Sequence, residues 1–166
     1  MKRKNQVWIA FAATALMVAV MQTQGRPMVK SGHSIVAFEL AKTNENALHI
    51  IHDWGAEVVQ IAITNTWIDF IFILAYGSFA VLCCLSLGEN QLVKKWQMMS
   101  KVMARMAIFA CMCDVVENFL MLQTLSGSMQ SVNIIGAYYF ALTKFILLAI
   151  VFIFCTVLKI SNLLKK

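Results

Sequence analysis

Four long apolar stretches follow one another along the chain, separated by shorter polar segments. They cover about residues 7–23, 64–87, 102–125 and 133–158. A helix needs about 20 largely apolar residues to cross the hydrocarbon core of a bilayer. The pattern therefore predicts an all-α polytopic membrane protein, a four-transmembrane-helix bundle that forms a single membrane domain over residues 1–166.

The first apolar stretch also has features of a signal peptide, because it is short and follows a basic start. The segment behind it, MQTQGRP, lacks the small-x-small pattern at which signal peptides are cleaved. We therefore expect this stretch to be retained as an uncleaved signal anchor, with cleavage as the alternative.

Between the first two predicted spans, residues 24–62 are expected to lie outside the membrane. Ser34 is expected to cap one short helix, IVAFELAK, and Thr43 or Asn44 to cap the next. Gly55 suits the C-terminus of that second helix. The pattern predicts a short external helical cap between spans one and two.

Basic residues flank the apolar stretches unevenly, which indicates the orientation of the chain. They precede the first stretch, lie between the second and third and follow the fourth, whereas the connection SGSMQSVN carries no charge. Cytoplasmic segments of membrane proteins carry an excess of Lys and Arg. We therefore expect cytoplasmic N- and C-termini. The basic residues concerned are Lys2, Arg3, Lys4, Lys94, Lys95, Lys101, Arg105, Lys159, Lys165 and Lys166.

Composition narrows the class of protein further. The chain is 60% hydrophobic and 13% charged, against about 45–50% and about 25% in a typical soluble domain. A disordered chain, a soluble nucleic-acid binder and most soluble enzymes are thereby excluded. All five cysteines lie in apolar stretches, so no disulfide framework is expected. The sequence contains no phosphate-binding loop and no Gly-rich dinucleotide turn.

Ionisable residues inside the predicted spans are the strongest functional signal, because inserting each costs about 2.5–3.5 kcal/mol. Asp114 and Lys144 lie near the middle of their spans, and Glu117 lies about one turn nearer the outside. We therefore predict one polar cluster that runs from the midplane to the outer surface and opens outward. The predicted ligand-binding residues are Asp69, Tyr76, Asp114, Glu117, Asn118, Lys144 and Glu39.

The charges in this predicted cluster do not balance. Asp69, Asp114 and Glu117 face a single lysine, Lys144. Either one or two carboxyl groups are protonated, or a cation such as a metal or a ligand amine fills the site. Glu39, in the external segment, has two placements: a solvated helix residue or a residue that lines the mouth of the cluster.

Binding of a small amphiphilic or lipid-derived ligand is the leading functional hypothesis. Lys144 would meet an anionic group, Tyr76 would donate a hydrogen bond, and Asp114, Glu117 and Asn118 would orient the ligand or move a proton. One alternative is an accessory or scaffold subunit, with a membrane-protein partner or a second copy, whose polar cluster only fixes helix packing. A second is a membrane enzyme with Glu117 as general base and Asp114 and Lys144 as further catalytic candidates.

The sequence offers a weaker metal-binding candidate in the external segment. His49, His52 and Asp53 lie within one turn of a predicted helix, at a spacing that allows shared ligation. A solvated helix face is the favoured interpretation. We therefore expect no metal and no cofactor.

Several short elements resemble a group of small bacterial four-helix membrane proteins. The resemblance covers most of the chain after span one, and its most specific element is Asp114-x-x-Glu117-Asn118. It implies the four-helix architecture, a candidate pocket and a bacterial inner membrane, and it implies no substrate. The other elements are Phe38-Glu39-Leu40-Ala41, Trp54, Ile68-Asp69-Phe70, Tyr76 and Lys144-Phe145.

Overall fold

The computed structural model describes residues 3–164 and their side chains as far as residue 162. This part of the chain is 89% helical and contains no strand. The predicted all-α, four-helix architecture is therefore confirmed. The helices are α1 (Arg3–Lys30), α2 (Ile35–Glu39), α3 (Asn44–Glu89), α4 (Lys94–Leu125) and α5 (Ser131–Leu164).

Four of the helices, α1, α3, α4 and α5, are long and apolar enough to cross a membrane. α1 packs along α3, α3 along α4, and α4 along α5. The outer faces of the bundle are apolar, with large exposed side chains such as Leu74 and Ile153. A helix that is apolar on its exposed face as well as its buried face fits a lipid environment. The chain is thus a multi-pass membrane protein.

The helix α3 bends at Gly55, where φ is 67° and ψ is 171°. Glycine adopts positive φ without the steric cost that a side chain brings. The part before Gly55 lies in the external cap, and the part after it continues as the second span. Thr43 caps the start of α3, as predicted, because its side chain accepts a hydrogen bond from the Asn46 amide at 3.2 Å.

The short helix α2 is the central element of the cap. Ser34 caps it as predicted, with Oγ accepting from the Ala37 amide at 3.2 Å. The helix ends at Glu39, earlier than the IVAFELAK pattern suggested, and Lys42 then adopts a φ of 62°. This turn places α2 against α1, α3 and α5. In the core beneath it, the rings of Phe38 and Trp54 lie 5.4 Å apart.

Polar side chains join the C-terminal part of α1 to α3 near the end of the bundle that carries α2. Gln24 donates a hydrogen bond from Nε2 to the Ile61 carbonyl at 2.9 Å, and its Oε1 accepts from Asn65 Nδ2. Asn65 also donates to the Met21 carbonyl at 3.3 Å. Asn65 therefore turns toward α1, where the Met21 carbonyl and the Gln24 side chain accept hydrogen bonds from its amide.

Candidate functional site

The seven predicted ligand-binding residues lie together in the part of the bundle that faces α2, and we call this group the polar cluster. They come from four helices: Glu39 from α2, Asp69 and Tyr76 from α3, Asp114, Glu117 and Asn118 from α4, and Lys144 from α5. Direct contacts join Lys144 to three of them, Tyr76 to Asp114, and Asn118 to Asp69.

Lys144 is the centre of the polar cluster. Its Nζ lies 2.6 Å from Asp114 Oδ1, 2.8 Å from Glu117 Oε2 and 3.5 Å from Glu39 Oε2. The Lys144 side chain is only 7% exposed. A buried ammonium is tolerated only when charged and polar partners replace its lost water. The three carboxylates supply that replacement.

Two further hydrogen bonds extend the polar cluster along α3 and α4. Tyr76 donates from its hydroxyl to Asp114 Oδ2 at 2.6 Å, so Asp114 is bound on both oxygens. Asn118 donates from Nδ2 to Asp69 Oδ2 at 2.7 Å. The i, i+4 spacing of Asp114 and Asn118 puts both on the face of α4 that meets α3.

Glu39 reaches the polar cluster from outside the spans. Of the two placements open from the sequence, the structure has the one at the mouth of the cluster, where Glu39 is only 9% exposed. Burial raises the pKa of the Glu39 carboxyl above its ordinary value of 4.5, and the nearby Lys144 ammonium opposes that rise. Glu39 is therefore a carboxyl group poised to hold a proton.

Three carboxylate oxygens of the polar cluster lack a hydrogen-bond donor among the described residues. They are Oε1 and Oε2 of Glu117 and Oε2 of Glu39, and all three are buried. The 2.8 Å contact of Glu117 Oε2 with Lys144 is an ion pair without hydrogen-bond alignment. A buried acceptor without a donor costs about 1–3 kcal/mol, and more when it is charged. The site thus has unused capacity to accept hydrogen bonds.

The excess of acidic over basic groups in the polar cluster is larger than predicted, because Glu39 joins the three carboxyl groups that lie within the spans. Three carboxyl groups, those of Glu39, Asp114 and Glu117, contact one ammonium group, and the fourth, that of Asp69, accepts a hydrogen bond from Asn118 in the same cluster. All four cannot remain ionised at low dielectric without further positive charge. Bound protons or a cationic group must compensate for the excess.

The polar cluster is closed in this conformation. One cleft of about 890 Å³ lies between α1, α3 and α5 at the opposite end of the bundle, beside Arg3 and Lys159. A second cavity of about 510 Å³ lies beside the C-terminal part of α1 and reaches Asn65. Neither is lined by a residue of the polar cluster.

The predicted metal candidates are arranged differently from the sequence expectation. His49 and Asp53 are paired, with His49 Nδ1 at 3.1 Å from Asp53 Oδ2. The third close partner is His33, whose Nε2 lies 2.9 Å from the same oxygen, and its hydrogen bond lowers the pKa of Asp53. His52 is 91% exposed, and its Nδ1 lies 3.6 Å from the other oxygen of Asp53, Oδ1. Sequence reasoning missed His33, because no helical spacing relates it to residues of α3.

No known protein family, curated protein or solved structure matches the chain. The geometry of the chain's own residues is therefore the basis on which its function is inferred.

Proposed function

We propose that this multi-pass membrane protein binds the polar end of a small amphiphilic or lipid-derived ligand in its polar cluster. The supporting observation is the set of buried oxygens of Glu39 and Glu117 that have no hydrogen-bond donor. A ligand group that donates hydrogen bonds, above all an ammonium group, would satisfy these oxygens. It would also offset the surplus negative charge around Lys144.

This arrangement favours a different role for Lys144 from the one the sequence suggested. The hypothesis gave Lys144 an anionic ligand group, but three carboxylates already occupy its surroundings. An incoming anion would have to displace them. We therefore propose that Lys144 holds the carboxylates in place, that Glu39 and Glu117 meet the ligand, and that Tyr76 fixes Asp114.

The short helix α2 is the proposed entry point. It has five residues, and it carries Glu39 directly over the cluster. Beyond it, the Lys42 ammonium lies 5.5 Å from the centre of the Tyr138 ring on α5. This cation–π contact is exposed and contributes about 0.5–1 kcal/mol, so breaking it on ligand entry costs little.

Native mass spectrometry of the gently solubilised full chain tests the proposal. We would compare the parent with Glu117→Gln, which keeps the shape of the side chain and removes its charge. Glu57→Gln is the matched control, because Glu57 is an exposed residue on α3. We expect a discrete amphiphile to accompany the parent and Glu57→Gln, and to be lost from Glu117→Gln. Retention of the same bound mass by all three proteins would contradict the proposal.

A scaffold role is the second candidate, and it has its own supporting observation. The hydrogen bonds of Tyr76 and Lys144 to Asp114 join α3, α4 and α5 directly. If no discrete mass accompanies the parent and Glu117→Gln only unfolds at lower temperature, the cluster fixes helix packing. The search would then turn to membrane-protein partners.

Catalysis with Glu117 as general base is the third candidate. Glu117 is fully buried, so a substrate would have to displace α2 before the carboxylate could accept its proton. Incubation of the co-purified amphiphile with the parent and with Glu117→Gln tests this candidate. Conversion by the parent alone would identify an enzyme.

We further propose a bacterial inner membrane with both termini in the cytoplasm. The start of α1, the end of α3 and the end of α5 meet at one end of the bundle, since Arg3, Glu89 and Lys159 line one cleft there. The start of α4, with Lys94 and Lys95, directly follows the end of α3. Concentration of basic residues at one end is typical of the cytoplasmic side.

A further inference from the structure

The outer cap carries a second group of polar side chains, separate from the polar cluster. His33 lies between α1 and α2, whereas His49 and Asp53 lie one turn apart on α3. One metal-binding atom from each of the three residues lies within 4.8 Å of the other two. His33 Nε2 and His49 Nδ1 are 2.9 Å and 3.1 Å from the same oxygen of Asp53.

These atoms have the chemistry and nearly the spacing of a zinc ligand set. Zinc takes imidazole nitrogen and carboxylate oxygen at about 2.0–2.2 Å, so ligand atoms of a tetrahedral site lie about 3.4 Å apart. The two separations from histidine to Asp53, 2.9 Å and 3.1 Å, are a few tenths of an ångström shorter, and a small opening of the group would admit an ion. Imidazole nitrogens favour late transition metals over calcium and magnesium, which prefer all-oxygen sites.

Two features of the fold hold the three side chains in this arrangement: a hydrogen bond to the backbone of His33 and the helical spacing of His49 and Asp53. Trp54, which is buried, donates a hydrogen bond from Nε1 to the His33 carbonyl at 2.9 Å. His49 and Asp53 are at i and i+4, so the helix itself places them side by side. Their group is open to solvent, with 69% of the His49 side chain exposed. A metal ion therefore has direct access, and water can complete its shell.

We propose that His33, His49 and Asp53 form a binding site for a divalent transition-metal ion of the zinc class on the outer surface of the cap. The ion links the segment before α2 to the first part of α3. Because α2 follows His33 within two residues, bound metal holds α2 over the polar cluster. The proposal stands whether or not the polar cluster binds an amphiphile.

Zinc titration of the purified full chain, carrying an affinity tag without histidine, tests this site. A chromophoric chelator that competes for Zn²⁺ gives the affinity. We expect one zinc ion per chain in the parent, and a loss of affinity of about tenfold or more in His33→Ala and in His49→Ala. His52→Ala is the matched control, because His52 is on the same helix and 91% exposed, and its Nδ1 is 3.6 Å from the other carboxylate oxygen of Asp53, outside the group of three ligand atoms. It is expected to bind zinc like the parent.

The variants also need a check for folding and for competing thiols. The sulfur atoms of Cys84 and Cys155 lie 3.5 Å apart and offer zinc an alternative site, so the Cys84→Ser protein serves as a second background. Unchanged Trp fluorescence would show that His49→Ala keeps the cap folded. Equal affinity in the parent, His33→Ala and His49→Ala would overturn the proposal. So would an equal loss in His52→Ala.

Discussion

Lys144 contacts more members of the polar cluster than any other residue in it. Its partners Glu39, Asp114 and Glu117 belong to α2 and α4, so a single side chain connects the cap and two spans. At low dielectric a buried ammonium group stabilises the neighbouring carboxylates only while it stays in contact with them, because a buried charge without its partner is strongly destabilising. The stability of the polar cluster therefore depends on Lys144 more than on any other single side chain in it.

Replacing Lys144 by Met is expected to destabilise the protein by about 3–5 kcal/mol, because it leaves carboxylates buried without their counter-charge. Thermal unfolding in detergent, compared with Lys159→Met, gives the measurement. Lys159 is an exposed lysine on the same helix, and its replacement is expected to change stability little. Equal stability of the two variants would contradict a central role for Lys144.

Glu39 makes stability depend on pH. Its pKa is raised in the folded protein, so its contribution is fully present below the ordinary value of 4.5. The contribution is lost as pH rises through the raised folded value, because the buried carboxyl must then ionise. Glu39→Gln, which stays neutral, is expected to lose less stability than the parent over that rise. Parallel curves of unfolding temperature against pH for the two proteins would contradict this expectation.

Residue spacing predicted the members of the polar cluster that lie within the spans, but it left their contacts and the placement of Glu39 open. The depth of Asp114 and Lys144 follows from their position along each span. Which faces of α4 and α5 meet depends on the rotation of each helix about its axis, which the hydrophobic pattern of a lipid-exposed helix leaves open. His33 was missed for a related reason, since its partners on α3 are distant in sequence.

At the scale of helices, close packing of α3 against α4 positions the polar cluster. A Cβ atom on Gly77 would lie 2.5 Å from Cys111 Sγ. Small residues at helix contacts in membranes let the backbones approach closely. Tyr76 directly precedes Gly77, and Asp114 lies about one helical turn after Cys111. Their 2.6 Å hydrogen bond therefore depends on the same close approach of α3 and α4.

Gly77→Val is therefore expected to separate α3 from α4 and to destabilise the bundle by about 1–3 kcal/mol or more. Ser78→Val is the control, because the next residue along α3 is exposed on the outer face of the bundle. Thermal unfolding of both variants in the same detergent gives the comparison. A Gly77→Val protein as stable as Ser78→Val would show that α3 and α4 tolerate a wider spacing.

The spans were easier to predict than the cap. Hydrophobic length alone locates the four long helices, because the bilayer imposes one minimum length on each. The bilayer imposes no such length on the cap. The hydrophobic pattern assigned residues 24–30 to the cap, whereas in the structure α1 continues through them to Lys30. The end of α2 depends on the positive φ of Lys42, a residue type with no preference for that conformation.

At the scale of the whole molecule, the two ends of the bundle differ in charge and in shape. One end carries the basic starts of α1 and α4 and the end of α5, and the other carries the cap with Glu39 over the polar cluster. Positive charge resists transfer across the membrane during insertion. The polar cluster would then open toward the outside, where ligands and metal ions arrive.

Cysteine labelling with a membrane-impermeant thiol reagent tests this orientation. Leu92, whose side chain is fully exposed, lies in the connection between α3 and α4, and Gln130 lies in the connection between α4 and α5, so Leu92→Cys and Gln130→Cys report on the two ends of the bundle. In intact bacterial spheroplasts we expect labelling of Gln130→Cys above the background of the native cysteines. Leu92→Cys is expected to react only after the membrane is permeabilised. Labelling of Leu92→Cys in intact spheroplasts would reverse the orientation, and the polar cluster and the histidine site would then face the cytoplasm.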